Sequence, residues 1–261
     1  MKSLLLAAAA AGAVTLAAGQ AQAASAVALV GDNSLVTIDL ASGKVLKMAT
    51  VSGAGRLLGI DVRPANKMLY GVAVDGAIVT IDPATGKASK VSQLDKQLPG
   101  QPTWAIVDFN PVADKLRFMG TDGTNLRVDI ESGKVTQDVS LAFEEGDMHK
   151  GEKPAIVAAA YTNAFGKPEK TALFDIDATI GALIQQTKPN DGTLKAIGKL
   201  GIAAAKMYAF DVATSADGTN TAWLAADNGI YKVALDSGKA MMVGKVAGLT
   251  DMIRDLAVLP E

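Results

Sequence analysis

The sequence predicts an all-β protein: a single β-propeller of five four-stranded blades, its ring closed by the C-terminal strand pairing into the first blade. Three observations carry that expectation. Residues 61–88 read DVRPANKMLYGVAVDGAIVTIDPATGKA, and residues 108–135 read DFNPVADKLRFMGTDGTNLRVDIESGKV, so one unit is stated twice. Beyond Ala24 the chain is a series of short apolar or alternating runs, each closed by Gly, Asn, Asp or Pro, with no convincing amphipathic helix. The third observation is a phase. The first unit lacks a leading strand, and the chain ends with a lone strand that has no followers.

The N-terminus stands outside this pattern. MKSLLLAAAAAGAVTLAAGQAQA has one positive charge at Lys2, an apolar run from Leu4 to about Ala18, and Ala21-Gln22-Ala23 as a small-x-small cleavage signature. These are the three regions of a secretory signal peptide. The run is short of the roughly 20 residues a spanning helix needs. Residues 1–23 are therefore read as a cleaved leader rather than an uncleaved anchor, and 24–261 as the propeller domain, soluble and without a membrane span.

The units follow in order. The first has strands at 27–31, 34–40 and 44–51. The second has them at 57–63, 67–74, 77–82 and 87–93. Asp75-Gly76 makes a tight hairpin, and Pro83-Ala84-Thr85-Gly86 makes a turn that Pro enters and Gly leaves. The third repeats this at 104–110, 115–120, 125–129 and 134–139. The fourth runs 155–163, 170–176, 182–187 and 193–200, with Pro189-Asn190-Asp191-Gly192 in place of Pro-Ala-Thr-Gly. The fifth runs 207–214, 221–226, 230–234 and 239–246, with Asn228-Gly229 as its hairpin turn. The closing IRDLAVLPE supplies the strand missing from the first unit.

Aligning leading strands at Asp61, Asp108, Ala160, Asp211 and Ala257 gives spacings of 47, 52, 51 and 46 residues. Four-stranded units of about 40–50 residues are propeller blades. Closure by the C-terminal strand removes two sheet edges that would otherwise invite aggregation. A β-sandwich accounts for neither the four-strand phasing nor the missing first strand.

Composition narrows the function classes. Hydrophobic residues make up 49% of the chain and charged residues 20%, enough for a buried core. There is no Cys, which excludes disulfides, thiolate metal sites and thiol catalysis. Without Lys2, 24 basic residues face 27 acidic ones, and no Lys/Arg cluster offers a nucleic-acid footprint.

Several stretches carry a family likeness. LLGIDVRPANKMLYGV, VTIDPATGKASKV, DFNPVADKLRFM, TNLRVDIESGKV, AAYTN, NDGTLKAIGKLG and the closing IRDLAV together resemble the bacterial domain-of-unknown-function family 4394. The strongest markers are Asp108-Phe109-Asn110-Pro111, Asn125-Leu126-Arg127 and Ala159-Ala160-Tyr161-Thr162-Asn163. The resemblance implies a propeller and brings no established activity or site residues.

Candidate chemistry is set by the leading strands. Asp61, Asp108 and Asp211 share one phase, and Asp255 lies two residues early in the last strand. Inner strands line a propeller's axis, so these carboxylates could hold a cation, Ca²⁺ among them, or act at a glycosidic bond. The stronger expectation is that they are buried and bonded to backbone N–H groups of the next blade. Arg63, Arg117, Arg127 and Arg254 could bind an anionic ligand bidentately, Arg254 foremost, but are expected rather as the partners of these acids. His149, alone in FEEGDMHKGEK, reads as part of a solvated loop, and one His with no Cys makes a poor zinc site. DIDATIG at 175–181 lacks the Gly and Glu of a calcium loop. Asp-Gly-Thr-Asn at 122–125 and 217–220 reads as turn chemistry. Aromatic residues are few and mostly within strands, which weakens lectin, glycosidase and quinone-cofactor readings.

The function expected is that of an exported binding or scaffold protein, periplasmic or secreted and monomeric, with no catalytic residue assigned and no cofactor required. Its partner would be a protein or a cell-envelope polymer. The alternatives are a metal-assisted hydrolase of small esters, lactones or glycans, and a structural envelope or biofilm component.

Overall fold

The computed structural model describes residues 24–260, so the leader reading of residues 1–23 lies outside the described residues. Five small sheets, antiparallel but for one short added strand, form a five-bladed β-propeller. The first blade takes β1 (Ser25–Val30), β2 (Ser34–Asp39) and β3 (Val45–Thr50). The second is β4 (Leu57–Arg63), β5 (Met68–Ala73), β6 (Ala77–Ile81) and β7 (Ala88–Gln93). The third is β8 (Ile106–Asn110), β9 (Lys115–Met119), β10 (Asn125–Asp129) and β11 (Lys134–Gln137).

The fourth blade contains β13 (Ile156–Tyr161), β14 (Leu173–Asp177), β15 (Ala182–Lys188) and β16 (Thr193–Lys199). It also carries a fifth strand, β12 (Ala142–Phe143), parallel to β16. The fifth blade is β17 (Tyr208–Thr214), β18 (Asn220–Ala226), β19 (Gly229–Val233) and β20 (Ala240–Lys245). The last strand, β21 (Ile253–Val258), pairs antiparallel with β1 from Ala26↔Val258 to Val30↔Ile253. The ring is thus closed between the two ends of the domain, as the phase of the repeats predicts.

Apolar side chains collect in five clusters, one at each seam between neighbouring blades. The seam between blades two and three, for example, packs Tyr70, Val72 and Ile78 against Phe109, Leu116 and Phe118. Blades are buried on both faces, so their inner strands read as nearly continuous apolar runs. The outer turns add backbone ties. Gly133 has φ +74°, and a Cβ there would stand 1.8 Å from the Gln93 carbonyl of the preceding blade. Its own carbonyl accepts the Asp95 N–H. Glycine thus serves both the turn and the close approach.

The segment around His149 is largely exposed, as its polarity suggests, but it is tied down at three points. Its start forms β12, Asp147 Oδ2 accepts the Ala196 N–H at 2.7 Å, and the His149 ring lies 5.4 Å from that of Phe143 and bonds Glu152. A polar stretch can pack once its donors and acceptors are met, and composition alone does not reveal that pairing.

Candidate functional site

The axis is built from inner strands β4, β8, β13, β17 and β21, which contact one another in ring order. Alternation along a strand fixes which side chains turn one way. On β4, β8 and β17 the residue in that phase is Asp61, Asp108 or Asp211; on β13 and β21 it is Ala160 or Ala257. Among the described residues, these three carboxylates each offer an oxygen within 4.8 Å of the others. All three residues are buried, between 5% and 7% exposed.

Backbone N–H groups hold each acid. Asp61 accepts from Val62 at 2.6 Å and from Phe109 of the next blade at 2.7 Å. Asp211 accepts from Val212 at 2.6 Å and Val258 at 2.5 Å. Asp108 Oδ1 accepts from Tyr161 at 2.9 Å, while its Oδ2 takes no donor among the described residues. Asp255 lies one pleat away, accepting from Ile60 at 2.7 Å and Leu256 at 3.0 Å. Gly59 makes room for it, since a Cβ there would stand 2.8 Å from Asp255 Oδ2.

No Arg forms an ion pair with Asp61, Asp108, Asp211 or Asp255 among the described residues. This corrects the expectation that the arginines balance the axial acids. Arg63 binds Asp114 and Glu131, and Arg127 binds Asp138. Arg117 is opposite Asp108 in register, yet its length carries the guanidinium to the seam with blade four. There it meets Asp138, Asn125, Asn190 and the Tyr161 hydroxyl. The Arg254 guanidinium donates to the carbonyls of Gly31, Asp32, Leu57 and Leu58, a tie between blades one and two.

Burial dominates the electrostatics. Burial, then the nearby Asp211 charge, pushes Asp61 well above the usual carboxyl range; burial and then Asp61 do the same to Asp108. Burial raises Asp211 to about 6 and Asp255 to about 8.

The three acids open into a cavity of about 270 Å³, whose other walls include Phe109, Tyr161, Phe165, Trp223, Lys67 and Lys232. Trp223 is buried, and its indole Nε1 has no acceptor. Lys232 Nζ lies 5.0 Å from the centre of that ring. Asp255 and Arg254 are not among the lining residues. The sequence flagged the acids and gave no signal for Phe165, Lys232 or the unpaired indole; Lys232 and Trp223 are register partners on β19 and β18, and Phe165 reaches the same cavity from blade four. Asp175, met in the sequence only as the start of the rejected calcium-loop pattern, sits fully buried in β14 with neither oxygen bonded; burial pushes its carboxyl well up.

Fold and axis together define a five-bladed propeller with an acid-lined axial cavity. The chain belongs to the family described as domain of unknown function (DUF4394), which matches residues 34–257. No curated protein matches the sequence. A protein of unknown function from Bacteroides thetaiotaomicron VPI-5482 shares the fold at TM-score 0.56 and 15% identity, over 90% of this chain and 64% of that one. This chain therefore spans just under two thirds of that protein's length. A chain of a nidogen/laminin complex is similar at TM-score 0.52 and 10% identity, over 90% of this chain and 98% of that one. At these identities the likeness concerns the fold alone.

Proposed function

We propose that this chain is an exported binding protein, periplasmic or secreted, whose ligand enters the axial cavity. The observation that carries the reading is the convergence of Asp61, Asp108 and Asp211, from three blades, in the wall of one concave space. Concave sites with a few convergent polar groups on mostly apolar walls are the usual form of small-ligand pockets. About 270 Å³ lies just under the roughly 300–1,000 Å³ of pockets for drug-sized molecules, so the ligand is small or is the end of a polymer. The N-terminal pattern of residues 1–23 supports export.

Binding is favoured over hydrolysis by how the acids are held. Asp61 and Asp211 each spend both oxygens tying backbone N–H groups of their own strand and the next blade, so Asp108 alone keeps an oxygen without a donor, and no second unengaged acid completes an acid–base pair. The test is a thermal-shift screen of small polar metabolites and envelope-polymer fragments on residues 24–261, beside an Ala164→Trp variant. Ala164 lines the cavity and is not one of the acids. A ligand that stabilises the parent chain and not the variant supports the reading; ligands indifferent to the substitution overturn it.

A further inference from the structure

Four buried side-chain polar atoms lack a hydrogen-bond partner among the described residues, and three of them belong to one face of blade four. They are both carboxyl oxygens of Asp175 on β14 and the Oε1 of Gln186 on β15. Asp175 is 0% exposed and Gln186 2%. Register sets the two side by side. Asp175 stands between Ala159 of β13 and Ile184 of β15, while Gln186 stands between Leu173 of β14 and Leu194 of β16. Those four apolar residues pack in the seam with blade three, so both polar side chains turn to that seam. Diagonal neighbours on adjacent strands are about 7–8 Å apart, within reach of a side chain as long as glutamine.

The neighbouring donors are engaged elsewhere. Gln186 Nε2 donates to the Pro189 carbonyl at 2.9 Å, and Asn125 Nδ2 donates to the same carbonyl at 2.8 Å. Turning the Gln186 amide over would set its oxygen against that carbonyl, so Oε1 is the end left unmet. Arg117 gives its N–H groups to Tyr161, Asn125, Asp138 and Asn190, and none to Asp175. The other charges on this side are held as well. Asp138 binds Arg117 and Arg127, Asp147 accepts the Ala196 N–H, and Asp177 accepts those of Ala155, Thr179 and Ile180. What the face lacks is a donor, and protonation turns an acceptor-only carboxylate into one. Burial favours that form, pushing the Asp175 carboxyl well up against the pull of Arg117 and with the push of Asp177.

We propose that Asp175 is a buried proton site, holding a proton that its carboxyl donates to Gln186 Oε1. The bond latches β14 to β15 on the face that meets blade three, beside the Arg117 network, and makes that seam sensitive to pH. An unfolded Asp ionises at about 3.9, so the latch contributes fully below about pH 4 and its contribution falls as pH rises toward the folded group's higher value. The inference is independent of what the axial cavity binds.

The test is infrared difference spectroscopy of the protein at pH 7, parent minus Asp175→Asn. A protonated-carboxyl stretch is expected in the difference. Asp175→Leu supplies the reference spectrum if Asp175→Asn does not fold. Gln186→Met removes the acceptor, and the Asp175 band should shift in that background. Asparagine at 175 keeps a donor for Gln186 and has nothing to ionise, so the urea midpoint of that variant should differ less between pH 5 and pH 8 than the parent's. A carboxylate band in the difference at pH 7 overturns the inference, since Asp175 would then be ionised and served by Arg117 or by water. A protonated band that Gln186→Met leaves unmoved overturns the shared bond.

Discussion

The Oδ2 of Asp61 on β4 accepts the backbone N–H of Phe109 on β8 at 2.7 Å, and through that bond the inner strands of two blades are locked in register. Asp108 repeats the bond to Tyr161, and Asp211 repeats it to Val258. In each case the acid holds the N–H one position past the matching phase of the next blade. The same side chains therefore tie the ring together and face its axis, so their structural and binding roles separate only under substitution.

Asp108→Asn and Asp61→Asn should differ in sign. Asparagine at 108 keeps an oxygen for the Tyr161 N–H, turns its amide toward the unused position and removes a like charge. The variant should match or exceed the parent in melting temperature. Asparagine at 61 cannot accept from both Val62 and Phe109 with its single oxygen, so a buried N–H is left unpaired. A loss of about 1–3 kcal/mol is expected in chemical denaturation.

Arg117 and Arg127 both bind Asp138, with unequal consequences. The Arg117 side chain is 2% exposed and that of Asp138 is 5%, whereas Arg127 is 35% exposed. Arg117→Met should lower stability by about 3–5 kcal/mol, because it leaves buried polar groups without their donor. Arg127→Met should lower it by about 1 kcal/mol or less. Equal losses in urea unfolding would contradict the assignment of Arg117 as the seam's central donor.

Gly133→Ala places a Cβ against the Gln93 carbonyl of the neighbouring blade in addition to straining a positive φ. A cost of about 3 kcal/mol or more follows from the two effects together. Gly201 has φ +72° with nothing within 4 Å of a Cβ, so Gly201→Ala should cost only the conformational part, about 1–2 kcal/mol. Thermal unfolding of the pair separates seam contact from turn strain.

Stability should rise on acidification from pH 8 to about pH 5. Asp175 is raised well above its ordinary value, Asp211 stands at about 6 and Asp255 at about 8, all through burial. An unfolded Asp titrates near 3.9, so between about pH 4 and 8 the folded chain binds more protons, and stability falls as pH rises through that window. The sign reverses in stronger acid. Asp114, lowered by its bond to Arg63, and Asp129, lowered by Lys115, contribute above their ordinary values and lose that contribution as pH falls. Urea midpoints at pH 5 and 8 check the direction. Asp175→Leu should narrow the difference.

Much of this architecture was legible along the chain. The duplicated units at 61–88 and 108–135, the Gly-closed turns and the unpaired final strand all arise from interactions a few residues apart, or from one repeat restated. Leu57–Arg63 and Asn125–Asp129 begin and end where the pattern places them. The shared phase of Asp61, Asp108 and Asp211 was equally visible, as was their bonding to backbone of the next blade. That they could converge at the axis was also foreseen, whereas the distance between them depends on ring closure. The arginines needed the fold as well. A guanidinium at the end of a long side chain goes to the nearest unmet acceptors, and for Arg117 and Arg254 those belong to residues remote in sequence. Local chemistry is written in order along the chain, whereas the partners of buried charge are decided by whichever blade closes beside them.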